Sequence, residues 1–129
     1  LVGGIAWVGP TARPDVLHAN GICARAYTFS TVELYGCAVR VLLYLADTCD
    51  VGITFTAYAP EPGVLTAASD SDWHVTRSTS GGGLRFAGGC AHAVSRKQDS
   101  GSGSSAGAEI IAASSLCDDV AHARGLLEY

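Results

Sequence analysis

The sequence predicts an α/β chain in two parts: a helical segment, then a strand-rich segment closed by a long helix. Three observations carry this reading. Apolar residues recur at helical spacing through the first third of the chain. After the break at Pro60-Glu61-Pro62-Gly63 the pattern turns to strands and tight turns. The last stretch then returns to helical spacing.

The first helix is expected to open at Arg13-Pro14-Asp15. Proline costs nothing in a first turn, where its missing N–H has no partner to lose, and an acid there suits the helix dipole. Val16, Ala19, Ile22 and Cys23 continue it. A second helix is expected from Ser30-Thr31-Val32-Glu33, read as a capping box in which Ser30 and Glu33 each satisfy the other's amide. Its stripe runs Leu34, Cys37, Ala38, Val41, Leu45. Asp47 to Gly52 ends it, and Ile53 to Ala57 reads as a short strand.

Two prolines and a glycine at 60–63 disfavour both helix and strand and set the expected boundary, with domains at 1–62 and 63–129. Val64 to Asp70 reads as a strand. Leu84 to Ala87 and Cys90 to Val94 read as a hairpin around Gly88-Gly89. Gln98 to Gly107 is rich in glycine and serine and reads as a loop. A final helix is expected from about Ala106 to Glu128.

With 48% hydrophobic and 16% charged residues the chain can form a core, which excludes a disordered polyelectrolyte. No apolar run approaches the roughly 18 residues that span a bilayer, and Leu1 to Pro10 lacks the basic start of a secretory signal. No membrane partner is expected. The chain begins at leucine and holds no methionine, as expected of a piece of something longer. Five widely spaced cysteines include no C-x-x-C pair and are expected to be free thiols in a reducing compartment. A net charge of −4 argues against a nucleic-acid surface over the whole chain, leaving Arg96-Lys97 as the adjacent basic pair.

The residues that could carry chemistry are acids. Along the final helix Ala112, Ala113, Leu116, Val120, Ala123 and Leu127 form an apolar stripe, and Glu109 lies on it near the N-terminal end. A carboxylate on a buried face is costly unless something pairs with it, such as a metal ion. In the preceding strand Val64, Thr66, Ala68 and Asp70 alternate onto one face, with Asp72 one step further. A strand-end carboxylate beside a helix-start carboxylate would suit a hard divalent cation, which takes oxygen ligands. The blander readings are a turn-forming Asp and a helix-dipole Glu.

Several motifs then fall in register. Thr11-Ala12-Arg13-Pro14-Asp15 resembles the T-x-R-P-D of copia-type reverse transcriptases. Val39 to Leu45, with Thr48, Asp50 and Gly52, is similar to their V-L-R-Y-L-K-G-T-x-D-x-G. Ser69-Asp70-Ser71-Asp72-Trp73 resembles S-D-A-D-W, Arg77 to Gly81 matches R-S-T-S-G, and Gly88-Gly89 falls at the family's glycine hairpin. Ser95-Arg96-Lys97-Gln98 is similar to S-K-K-Q, and Ser104-Ser105 with Ala108-Glu109 to S-S-x-E-A-E.

The resemblance covers nearly the whole chain. It implies a truncated RNase H-like mixed sheet with helices, preceded by a helical remnant of the reverse-transcriptase thumb and connection. It implies that Asp70 and Glu109 are the first two acids of the RNase H metal site, with Asp72 in support. Two Mg2+ or Mn2+ ions would bind in the complete domain, whose third and fourth acids lie downstream. Arg96 and Lys97 would meet the phosphates of an RNA–DNA hybrid. The parent would be a retrotransposon Pol polyprotein, intracellular, copying RNA into DNA and cleaving the RNA of the hybrid. The fragment alone is expected to be inactive. Departures include Gly82 in place of an aromatic residue, Ala93 in place of a tryptophan, Gly107 in place of the first Glu, and Asp99 to Gly103 in place of an apolar strand. These leave open a second reading, a degenerate, non-catalytic relic.

Other candidates are weaker. Gly103 to Gly107 fits G-x-S-x-G but lacks the hydrophobic strand that a nucleophile elbow needs. Four histidines show no metal-ligand spacing. Trp73 suits either the core or base stacking.

Overall fold

A computed structural model describes residues 1–58 and 63–128, so the expected boundary at 60–63 lies largely outside the described residues. The chain forms two compact units, Leu1–Ile53 and Thr54–Tyr129.

The first unit is helical. Helix α1 (Val2–Thr11) is followed by a 3-10 turn (Pro14–Val16), α2 (Leu17–Arg25), a second 3-10 turn (Tyr27–Phe29) and α3 (Val32–Asp47). Helix α1 has no counterpart in the sequence reading, because Gly3, Gly4 and Pro10 all lower intrinsic helicity. It forms by packing: Ile5 and Gly9 are buried, and Gly9 lies against Leu17 and Val16 of the next element. The unit's buried apolar residues are Ile5, Val16, Cys23 and Ala38. Helix α3 is capped by Thr31, whose hydroxyl accepts from the Leu34 amide at 3.3 Å, so the cap lies one residue past the expected Ser30. Ser30 instead donates to the Tyr27 carbonyl and closes the preceding turn. No strand forms over Ile53 to Ala57; the segment is irregular, with the Thr56 amide bonded to the Ala87 carbonyl.

The second unit is a mixed α/β layer pair. Strands β1 (Thr66–Asp72), β2 (Thr79–Phe86) and β3 (Gly89–Lys97) form an antiparallel sheet in the order β1-β2-β3, and α4 (Ser105–Leu127) packs on β1 and β2. Strand β1 starts two residues later than the alternation suggests, so Asp70 lies inside the strand rather than at its end. Strand β2 starts at Thr79, not Leu84, because Gly81-Gly82-Gly83 hides the pattern while the ladder continues through it. That run has a packing reason. A Cβ on Gly82 would come within 3.2 Å of the Leu116 side chain and 3.5 Å of Val94, so the bare backbone lets α4 sit close.

The hairpin between β2 and β3 turns on Ala87-Gly88, both with positive φ (48° and 79°), as a two-residue type I′ turn requires. Gly89 is the first residue of β3, and a Cβ there would collide with Phe55 and the Thr54 carbonyl. A bulge at Ala91 shifts the register between Leu84↔His92 and Arg85↔Cys90. Gln98 to Ser104 form an irregular loop, as their composition suggests, and the helix begins at Ser105. The Ser104 hydroxyl accepts from the Gly107 amide and caps it.

Candidate functional site

In the first unit the Arg13-Pro14-Asp15 motif builds a clasp. Arg13, 5% exposed, donates from Nε and Nη2 to the two carboxylate oxygens of Asp15 at 3.0 and 2.8 Å. Its Nη1 reaches the Thr48 carbonyl at 2.8 Å and its Nη2 the Thr48 hydroxyl at 2.7 Å. The Tyr44 hydroxyl donates to Asp15 at 2.7 Å, and the Tyr44 ring lies 5.2 Å from the guanidinium carbon. The planar fork of arginine suits this bidentate geometry. Hydrogen bonding to Arg13 holds the Asp15 carboxyl below its ordinary range, against a desolvation effect of opposite sign. Asp15 in turn raises the Arg13 guanidinium further. The clasp ties the 3-10 turn before α2 to the end of α3.

In the second unit the sheet has two different faces. Ser80, Gly82 and Leu84 face α4, since Gly82 lies under Leu116 and Ser80 accepts from Gln98 at 2.9 Å. Their partners Ser71, Ser69 and Ala67 on β1 share that face, as do Arg96, Val94 and His92 on β3. Asp70 and Asp72 therefore turn to the far face, opposite Gly81 and Thr79. Asp70 is exposed, with one carboxylate oxygen accepting its neighbour's amide, from Ser71, at 2.9 Å. Asp72 accepts a short hydrogen bond from the Thr79 amide across the β1–β2 ladder.

Helix α4 buries Ala112 and Leu116 of the expected stripe, and Ala108 rather than Glu109 at its N-terminal end. Glu109 is half-buried at the margin of the buried stripe, and Ala113 and Leu127 are exposed. Ser115 and Asp119 lie on the flank that meets β3, where Arg96 donates to both, at 3.1 Å to Asp119. At about 3.6 residues per turn Glu109 lies on the opposite flank, toward β1. The Gln98 amide donates to Ser80 and to the Ala108 carbonyl, both at 2.9 Å, which sets this first part of the helix at the Ser71–Ser80 rung. Asp70 and Glu109 thus border the same outer edge of β1, one from each side of the sheet.

Arg96 is committed to Asp119 and Ser115, with His92 3.8 Å from the same carboxylate oxygen, while Lys97 is exposed. The two expected phosphate contacts are therefore unequal. Trp73 is half exposed, and its indole N–H points to the Ser102 carbonyl at 3.4 Å. Sequence reasoning missed the Ser71–Ser80–Gln98 cluster under α4, in which the Ser71 hydroxyl and the Gln98 carbonyl are buried without a partner. Three polar residues spread over three segments leave no local signal.

Asp70 and Glu109 supply the oxygen donors that a hard cation takes. They fall short in number: no group of three or more His, Cys, Asp or Glu able to hold a metal occurs among the described residues.

The second unit is thus an α/β module, a three-stranded antiparallel sheet backed by one long helix, following a helical unit. No family model matches the chain, and no solved structure matches it. It is 33% identical over 101 residues to Secreted RxLR effector protein 161 of Plasmopara viticola, covering 75% of this chain and 70% of that protein. The chain belongs to the family of that protein. Among the described residues no helix is long and apolar enough to cross a membrane.

Proposed function

We propose that the chain is part of a copia-type retrotransposon Pol polyprotein, spanning the end of the reverse transcriptase and the first half of an RNase H-like domain. The observation that carries the reading is the motif order along the chain, Ser69 to Trp73 on β1 and Ser104 to Glu109 at the start of α4, which leaves Asp70 and Glu109 on opposite sides of the sheet. The sequence of β1, β2, β3 and then a helix bearing the second acid supports it. Asp70 and Glu109 would each be a candidate ligand for Mg2+ or Mn2+ in the complete domain, with Asp72 fixing the end of β1 through Thr79. When bound, a pair of such ions stabilises the attacking and leaving oxygens of a phosphodiester. Exposed Lys97, in no ion pair among the described residues, would meet a hybrid's phosphates; Arg96 must first leave Asp119. The activity belongs to an intracellular parent enzyme with further acids. This chain alone has too few ligands to cleave.

Manganese titration followed by NMR tests the reading. Paramagnetic broadening is expected first at the amides of 70–71 and 108–110, and Asp70→Asn should remove it. Broadening confined to other carboxylates overturns the reading. With a labelled RNA–DNA hybrid in magnesium the chain should show no cleavage; cleavage that Asp70→Asn abolishes would mean that the ligand set is already complete.

A second reading is a non-catalytic relic that folds and binds a partner. The relative named as a secreted effector favours it, and it carries a secreted rather than an intracellular location. A chain that retains its fold, takes up no manganese at Asp70 and leaves the hybrid intact would match this reading.

A further inference from the structure

Helix α4 follows six residues of aspartate, serine and glycine, Asp99 to Ser104, which bring no apolar side chain to the core. Such a tether cannot by packing fix where the helix begins on the sheet. The Ser104 cap acts within the helix's own first turn. Further along, Leu116 seats against Gly82 and Asp119 meets Arg96, but Ala108 lies two turns before Leu116, about 12 Å along the axis. Ala108 and Ala112 are buried there, and alanines offer no projecting side chain to lock the contact. Gln98 supplies the lock. Its backbone amide donates to the Ser78 carbonyl at 2.8 Å, which extends the β2–β3 ladder by one residue and ties Gln98 to the sheet. Its side-chain amide donates to the Ser80 hydroxyl and to the Ala108 carbonyl, both at 2.9 Å. Gln98 is 4% exposed, and its carbonyl oxygen, like the Ser71 hydroxyl, is buried without a partner among the described residues. Burying an amide with an unmet acceptor is a costly way to gain stability. What it adds is direction, because a hydrogen bond weakens steeply as it bends and an apolar contact does not.

We propose that Gln98 is a positioning residue for the candidate site: its amide sets the turn of α4 that carries Glu109, and so the place of that carboxylate beside β1. The proposal rests on the reading of Glu109 as a cation ligand. Gln98 acts through the Ala108 carbonyl, next in the chain to Glu109, rather than by touching a ligand. The link runs from Ser80 on β2 through Gln98 to the start of α4, while Arg96 and Asp119 hold the helix further along its β3-ward flank. With the amide gone, alanine contacts and the Ser104 cap are left to hold the first turns, and Glu109 samples several places beside β1.

The experiment compares the full chain with Gln98→Leu and Ser80→Ala, by amide hydrogen exchange and by manganese titration, both followed by NMR. In the wild-type chain the two side-chain amide protons of Gln98 are expected to exchange slowly, held by two buried acceptors. Gln98→Leu, of similar volume, should speed exchange of the amides of 109–112 roughly two- to tenfold, the range for loss of one hydrogen bond, with strand amides unchanged. Paramagnetic broadening at 108–110 should weaken by a similar factor relative to 70–71, a ratio that a uniform loss of stability does not move. Ser80→Ala, which keeps the bond to Ala108, should leave that ratio within about twofold of wild type. Gln98 protons that exchange like those of a free amide overturn the proposal, and this measurement stands even if Gln98→Leu does not fold. Unchanged exchange at 109–112 overturns it too. So does faster exchange with undiminished broadening, which would make Gln98 a prop of the helix alone. A wild-type chain with slow Gln98 protons and no broadening at 108–110 overturns the cation reading instead, while the turn-setting role of Gln98 stands.

Discussion

Arg13 with Asp15 and Asp70 with Glu109 are both charged constellations taken from sequence motifs, yet they stand in opposite physical situations. In the helical unit the pair is bidentate, with Arg13 buried and Asp15 at the surface, and both are hydrogen-bonded to further groups. In the sheet unit Asp70 and Glu109 border the side of β1 to which, among the described residues, no strand pairs, and Asp70 makes one local hydrogen bond. A motif conserves residue types in order, and the tertiary surroundings decide whether those residues hold a fold together or are left to meet something else. The Arg13 clasp is costly to break on the Asp15 side, because the buried Arg13 guanidinium would lose its charged partner. Neutralising Asp70 should leave the fold nearly unchanged, since an exposed acid with one local hydrogen bond contributes little.

The sharpest break in the comparison comes from the sheet unit's own core. Leu84 is 2% exposed and is the largest apolar side chain buried that deeply among the described residues of the sheet unit. Leu84→Ala is expected to cost about 3 kcal/mol, from lost transfer energy and the cavity left behind. Chemical denaturation followed by NMR should show this loss in the sheet unit, with Asp70→Asn close to wild type.

Acid gives a smaller effect with the opposite localisation. Asp15 is held below its ordinary value chiefly by its hydrogen bond to Arg13. A carboxyl whose folded pKa is depressed contributes stability that is present above its unfolded pKa, about 4, and lost as pH falls through the folded value. Glu33, held low by its own backbone amide and the Thr31 hydroxyl, acts in the same direction. Acid titration should therefore loosen the helical unit below about pH 4, with α2 and α3 amides losing exchange protection. Asp15→Asn should flatten that dependence, at the cost of lower stability at neutral pH. A profile unchanged by Asp15→Asn would remove the clasp from the explanation.

The smallest expected effect is a gain. Ala87 occupies the left-handed region at φ 48°, which asparagine adopts more readily than alanine. Ala87→Asn should stabilise the hairpin by roughly 0.5–1 kcal/mol, read as a rise in the sheet unit's unfolding midpoint.

Local patterns made much of the architecture legible. The periodicity of α3, the loop of Gln98 to Ser104 and the long last helix all follow from residue order, because period, turn chemistry and capping act over a few residues. Glycine and proline misled at the margins. Helix α1 is hidden by Gly3, Gly4 and Pro10, while Gly9 serves packing against Leu17; the start of β2 is hidden because Gly82 serves Leu116. Ser30 and Thr31 compete for one cap, and the preceding 3-10 turn takes Ser30.

The sequence by itself determined that this chain is α/β, which acids stand in motif order, and that its basic residues are few. The tertiary structure decided what each charged group has for company. Packing of α4 on small residues turned Glu109 to the margin of the buried stripe. Ladder register sent Asp70 to the far face, and the fold gave Arg96 to Asp119 while leaving Lys97 in water. Those outcomes depend on contacts between segments far apart in the chain, and local patterns, which act over only a few residues, do not contain them.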